Sequence, residues 1–128
     1  MTVFAIATTL HQNKFNSANG LINCSTNRAI DTINYITALQ DIVQGLAFRH
    51  SSVMVSLRTL TTNSHGTGLW YNGAITPAMY LTSVDTLTAS LCNDTYWNVL
   101  GVDVKNEPFD GTWGLDDAKD FNAGAELE

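Results

Sequence analysis

Trp97-Asn98-Val99-Leu100-Gly101-Val102-Asp103-Val104-Lys105-Asn106-Glu107-Pro108-Phe109-Asp110-Gly111-Thr112-Trp113-Gly114 reads as a strand that delivers one carboxylate. Val99, Leu100, Val102 and Val104 form a short apolar, β-branched run. It alternates too little for a half-wet strand and suits a parallel strand covered on both faces. Proline cannot donate to a ladder and pushes the residue before it towards extended geometry. Pro108 is therefore expected to end the strand with Glu107 extended at its carboxyl tip. In parallel α/β folds that tip is where chemistry sits.

Working outward, the preceding segment begins at Pro77, which suits a helix first turn. Tyr80, Val84, Leu87 and Leu91 make a helical stripe before Asn93. From Ala29 to Arg49, the residues Ile30, Ile33, Ile36, Leu39, Val43 and Leu46 recur at spacings of three and four, an amphipathic helix that Gly45 weakens near its end. A strand is expected from Ser52 to Leu57. Helix, strand, loop, helix, strand, loop is the alternation of an α/β fold with a parallel sheet. Leu115 to Phe121 reads as the start of another helix.

The segment 97–114 resembles the acid/base strand of glycoside hydrolase family 5, the cellulase-type retaining glycosidases, whose signature is Asn-Glu-Pro after a hydrophobic strand. Here Asn106-Glu107-Pro108 follows Gly101-Val102-Asp103-Val104, with Trp113-Gly114 downstream and Gly68-Leu69-Trp70-Tyr71 upstream. The resemblance covers roughly Tyr35 to Gly114. It implies that Glu107 is the general acid/base and that Asn106 hydrogen-bonds the sugar 2-hydroxyl. Trp70, Tyr71 and Trp113 become candidate stacking rings at the substrate, with a core-capping role the alternative for each. The implied substrate is a β-glucan or cellulose-like polysaccharide or oligosaccharide, and the implied location is extracellular.

The resemblance also implies a (β/α)8 barrel, which takes about 250 residues. This chain has 128. The expectation is therefore a partial barrel of central βα units, a fragmentary catalytic domain over 1–128. Within it, 1–29 is a poorly defined N-terminal segment, 30–114 the family-like core and 115–128 a truncated tail. The family's nucleophile is a glutamate on a later strand. The remaining glutamates here, Glu126 and Glu128, fall outside any strand pattern.

Family members carry Asp-x-His at the end of the earlier strand, whereas this sequence has Ser56-Leu57-Arg58. A histidine is a switchable hydrogen-bonding group, and Arg58 is a fixed cation with five donors. Arg58 enters the list of substrate-binding candidates on position alone. A cation in the site favours an ionised carboxylate, while a general acid must hold its proton. Lys105 raises the same concern, unless its long stem swings the charge to water.

Composition narrows the remaining classes. Charged residues make up 14% of the chain, against about 25% in an average soluble domain. A net charge of -6 with its six cations scattered gives no basic patch, which argues against a nucleic-acid partner. No apolar run is long enough to span a membrane. Met1 to Leu10 lacks a basic flank and a clear cleavage site, so it reads as a strand or loop rather than a signal peptide. The Asn-rich segment Gln12 to Asn27 reads as a surface loop. Asn23-Cys24-Ser25 and Asn93-Asp94-Thr95 are glycosylation sequons. Cys24 and Cys92 suit either one disulfide or two small buried hydrophobes. His11, His50 and His65 have no zinc spacing, so no metal and no cofactor is expected.

Overall fold

A computed structural model describes residues 1–14, 18, 20–63 and 67–122. The expected loop residues His65 and Gly66, part of the Asn-rich segment, and Glu126 and Glu128 lie outside the described residues. Strand β1 (Thr2–Ile6) runs into a short helix α1 (Ala7–Gln12). Helix α2 (Tyr35–Phe48), strand β2 (Val53–Thr59), helix α3 (Pro77–Leu91) and strand β3 (Val99–Asp103) follow. The strands form a three-stranded sheet in the order β1-β2-β3, parallel throughout. The chain is thus α/β with a small parallel sheet, as the alternation of elements foretells.

Helix α3 begins where the sequence says. Pro77 sits in the first turn, where its missing N–H is not needed, and the Thr76 side chain accepts a hydrogen bond from Met79 N at 3.2 Å. Tyr80, Leu87 and Leu91 from the predicted stripe are buried. Helix α2 starts later than the apolar spacing suggests, because Asn34 caps it by accepting from Thr37 N at 2.9 Å. Asp31 accepts from Ile33 N at 2.9 Å, which bends the chain just upstream and leaves Ile30 and Ile33 outside the helix. Gly45 does not end the helix, which runs on to Phe48.

Helices α2 and α3 lie side by side, with Gln40 Nε2 donating to Ser90 O at 3.2 Å. Their buried stripes join Ala5, Val53, Val55 and Leu57 in one core. Helix α1 ties the carboxyl ends together: Thr8 N donates to Leu60 O at 2.9 Å and Ser83 Oγ to Ala7 O at 2.8 Å. At the opposite end, buried Asn98 donates to Val43 O and Ser51 O at 3.0 and 3.1 Å.

The second face of the sheet differs from the sequence expectation. Thr2, Phe4, Met54 and Arg58 on it are exposed, and β3 is not covered on both sides. A register shift opposite Val53 and Met54 inserts an extra residue into β3, and Leu100 there is 72% exposed. The stretch from Leu115 to Lys119 is not helical. Buried Asp120 accepts from Gly114 N at 3.0 Å, Asp116 N at 2.6 Å and Asn122 N at 3.1 Å, which spends backbone donors on a compact loop instead.

Candidate functional site

The loops after β2 and β3 meet at the carboxyl end of the sheet. Asn106 N donates to Leu57 O at 3.1 Å, carrying the pairing of β3 with β2 past the formal end of the strand. Asp110 N donates to Gly68 O at 3.0 Å, and the Tyr71 hydroxyl to Ala118 O at 3.0 Å. Gly68 is required by this junction, because a Cβ there would lie 2.6 Å from Asp110 Cγ and 2.7 Å from Phe109 Cε2.

Glu107 stands at this end of the sheet, exposed, but it is not extended. Its φ is 51°, in the left-handed region. The strand stops at Asp103, and Phe109 N closes back on Glu107 O at 2.9 Å around Pro108. Gly111 N then bonds Pro108 O at 3.0 Å. This tight reversal lets Asp110 reach Gly68, and Glu107 turns left-handed to allow it. A non-glycine residue in that region costs about 1–2 kcal/mol. Asn106 is half-buried, its carbonyl accepting from Lys105 Nζ at 2.8 Å.

The aromatic candidates divide. Trp70 is 4% exposed and belongs to the core, so it is not a surface platform. Its ring meets Tyr71 edge-on at 5.3 Å and Phe121 at 5.1 Å. Tyr71 is half-buried and fixed through its hydroxyl. Trp113 is 59% exposed and rests against Phe121 at 5.3 Å. Phe121 therefore links the rings, a role hidden in the sequence because it lies in what reads as a helix start.

The two cations near the strand ends exchange their expected places. Lys105 is 4% exposed, its ammonium donating to Arg58 O at 3.4 Å and Asn106 O at 2.8 Å. Burial lowers its pKa, while the charges of Asp103 and Glu107 act in the opposite direction. Arg58 instead leaves the strand end on the open face, its guanidinium 4.8 Å from the centre of the Phe4 ring. Ser56 is buried and donates to Asp103 Oδ2 at 2.6 Å.

Three cavities lie elsewhere. One of about 600 Å³ runs beside β3 and is lined by Leu91, Tyr96, Trp97 and Leu100. Two others, of about 270 and 490 Å³, flank α2 near Leu21 and Ile22. None of these three includes Glu107. Cys24 and Cys92 are both exposed free thiols, so neither packs as a buried hydrophobe. Among the described residues, no helix is long and apolar enough to cross a membrane. Chemically, the rim offers the exposed carboxylates of Glu107 and Asp110, one exposed indole and a set of anchored backbone groups. In comparisons with known proteins, no family model matches this chain and no curated protein matches it.

Proposed function

We propose that this chain is a central βα slice of an eight-stranded βα barrel from a retaining glycosidase similar to glycoside hydrolase family 5, with Glu107 as its acid/base group. The observation that carries this reading is the setting of Asn106-Glu107-Pro108. The motif follows the last strand of a parallel sheet, is anchored by Asn106 N to Leu57 O, and holds Glu107 in a costly left-handed turn. Strain of that kind concentrates at functional sites. In this reading the open sheet face lines the barrel lumen, and the substrate is an extracellular β-glucan or cellulose-like chain that stacks on Trp113.

Retention requires a second carboxylate about 5–5.5 Å from the first to form the glycosyl-enzyme. Glu107 is the one glutamate among the described residues. In this reading the described residues supply the acid/base group and no second glutamate, and the function left to the chain is weak sugar binding. A non-catalytic remnant is the second reading, favoured by the burial of Trp70 and the outward display of Glu107.

Electrophoresis through gels containing soluble β-glucans tests the carbohydrate reading. The chain should be retarded, and Trp113→Ala should migrate as in a blank gel. No retardation by any soluble β-glucan would overturn it. Hydrolysis of those glucans, or of activated aryl β-glycosides, should be indistinguishable from buffer and unchanged in Glu107→Gln. Turnover that disappears in Glu107→Gln would show instead that another carboxylate, such as Asp103, completes the site.

A further inference from the structure

The uncovered sheet face, which the glycosidase reading turns towards a barrel lumen, carries a pattern of charges that this reading does not explain. The pairing register aligns Phe4 with Ser56 and Ser56 with Asp103, so these residues form one row across β1, β2 and β3. At the β1 end the Arg58 guanidinium lies over the Phe4 ring at 4.8 Å. At the β3 end the Asp103 carboxylate accepts from Ser56 at 2.6 Å. Among the described residues, Arg58 makes no ion pair with a carboxylate. Phe4 and Met54, both on this face, are 46% and 41% exposed. Exposed apolar side chains grouped beside complementary charges suit an interaction site.

We propose that this face is a two-fold interface between two copies of the 128-residue chain, packed sheet on sheet with Arg58 of each copy against Asp103 of the other. A two-fold axis running along β2 between the sheets keeps the strands parallel and exchanges β1 with β3. The row is then laid on its own reverse. Its cationic end meets the anionic end of the second copy, and the same contact forms again on the far side of the axis. Such self-matching is what an isologous interface demands. The charges select a second copy over an unrelated partner, because the two ends of one row are complementary to each other.

The apolar content fits the same arrangement. Met54 on the central strand faces its own copy near the axis, where an unbranched, flexible side chain fills an irregular gap well. Gly101 beside it leaves room, since a Cβ there would already touch Met54 Sδ at 3.8 Å. Phe4 lies beside the centre on β1, so it meets β3 of the second copy across the interface. Twisted sheets pack in this aligned way with about 30° between their strands. The inference does not rest on the glycosidase reading.

Sedimentation velocity and light scattering over a concentration series test it. The wild-type chain should reach twice its 13.9 kDa mass. Asp103→Arg places like charges at both contacts, and so does Arg58→Glu, so each variant alone should be monomeric. Mixed in equal amounts they should recover the dimer, because every contact again pairs opposite charges. Far-UV circular dichroism checks that each variant folds. If either charge variant is misfolded, Met54→Lys decides, since that side chain is 41% exposed on the open face and its change should leave the fold intact while abolishing the dimer. The proposal is overturned if the wild-type chain stays monomeric or forms only larger assemblies. It is equally overturned if the charge variants dimerise like wild type, if their mixture stays monomeric, or if Met54→Lys remains dimeric.

Discussion

Tyr80 shows what burial does to a single polar group. Its side chain is 3% exposed, and its hydroxyl has no hydrogen-bond partner among the described residues. Burial first, and the Asp103 charge second, raise its pKa above the ordinary 10.0. Burial pushes Tyr35 up to about 12, against the smaller opposing effect of a backbone hydrogen bond with Ile6. Because both groups bind their proton more tightly in the folded chain, their contribution to stability is complete below 10.0 and is lost as pH rises through their raised values, about 12 for Tyr35. Lys105 acts in the opposite sense. Its lowered pKa means that the unfolded chain binds the proton more tightly, so this contribution to stability grows as pH climbs towards 10.5. Tyr80→Phe removes a buried hydroxyl that bonds nothing, so it should raise stability by about 1 kcal/mol near neutral pH and soften the alkaline loss. Urea melts of both chains across the alkaline range check this. A Tyr80→Phe chain that is markedly less stable than wild type would show that the hydroxyl has a partner.

At the scale of elements, side-chain caps set where the helices begin. Asn34 accepts both Thr37 N at 2.9 Å and Thr37 Oγ1 at 3.0 Å, and the first turn of α2 contains no acidic residue to help. Asn34→Ala should therefore cost about 1 kcal/mol. Asn34→Asp, which keeps the acceptor and adds favourable charge at the helix N-terminus, should recover that loss. Denaturant midpoints at constant slope read both effects. Equal midpoints for wild type and Asn34→Ala would mean that the apolar stripe alone starts the helix. The loops at the other end of the sheet are held differently, by Asp110 N on Gly68 O, Tyr71 on Ala118 O and the Trp70, Phe121 and Trp113 rings. Those contacts, rather than regular hydrogen bonding, fix the shape of the rim around Glu107.

At the scale of the whole molecule, a sheet with one covered face stabilises the chain only from the helix side. The open face bearing Phe4 and Met54 gains its share when a second copy covers it. The thermal midpoint should accordingly rise with protein concentration, as mass action requires when only the folded state associates. Dilution should lower it, since the open face then lacks cover. A sharp midpoint that is independent of concentration would show that the covered face suffices and that the open face contributes nothing to stability.

What the sequence determined by itself is local. Pro77 after Thr76 starts α3, the spacing of Tyr80, Leu87 and Leu91 turns one side of it inward, and the β-branched runs make strands. Alternation of those elements determined a parallel α/β sheet, because parallel neighbours need a crossover. That Asn106-Glu107-Pro108 follows the last strand was legible because this order is set along the chain alone. Tertiary structure alone decided the rest. Whether Leu100 is covered depends on which face receives the helices and on a register shift opposite Val53 and Met54. Lys105 goes inside and Arg58 outside because carbonyls from two strands, those of Arg58 and Asn106, converge on the lysine ammonium. Trp70 is buried and Trp113 exposed because Phe121, arriving from a distant loop, occupies the space between them. Glu107 turns left-handed because Asp110 must reach Gly68 on the neighbouring loop. Each of these outcomes follows from a contact between residues far apart in sequence, and a pattern read along the chain holds no term for such a contact.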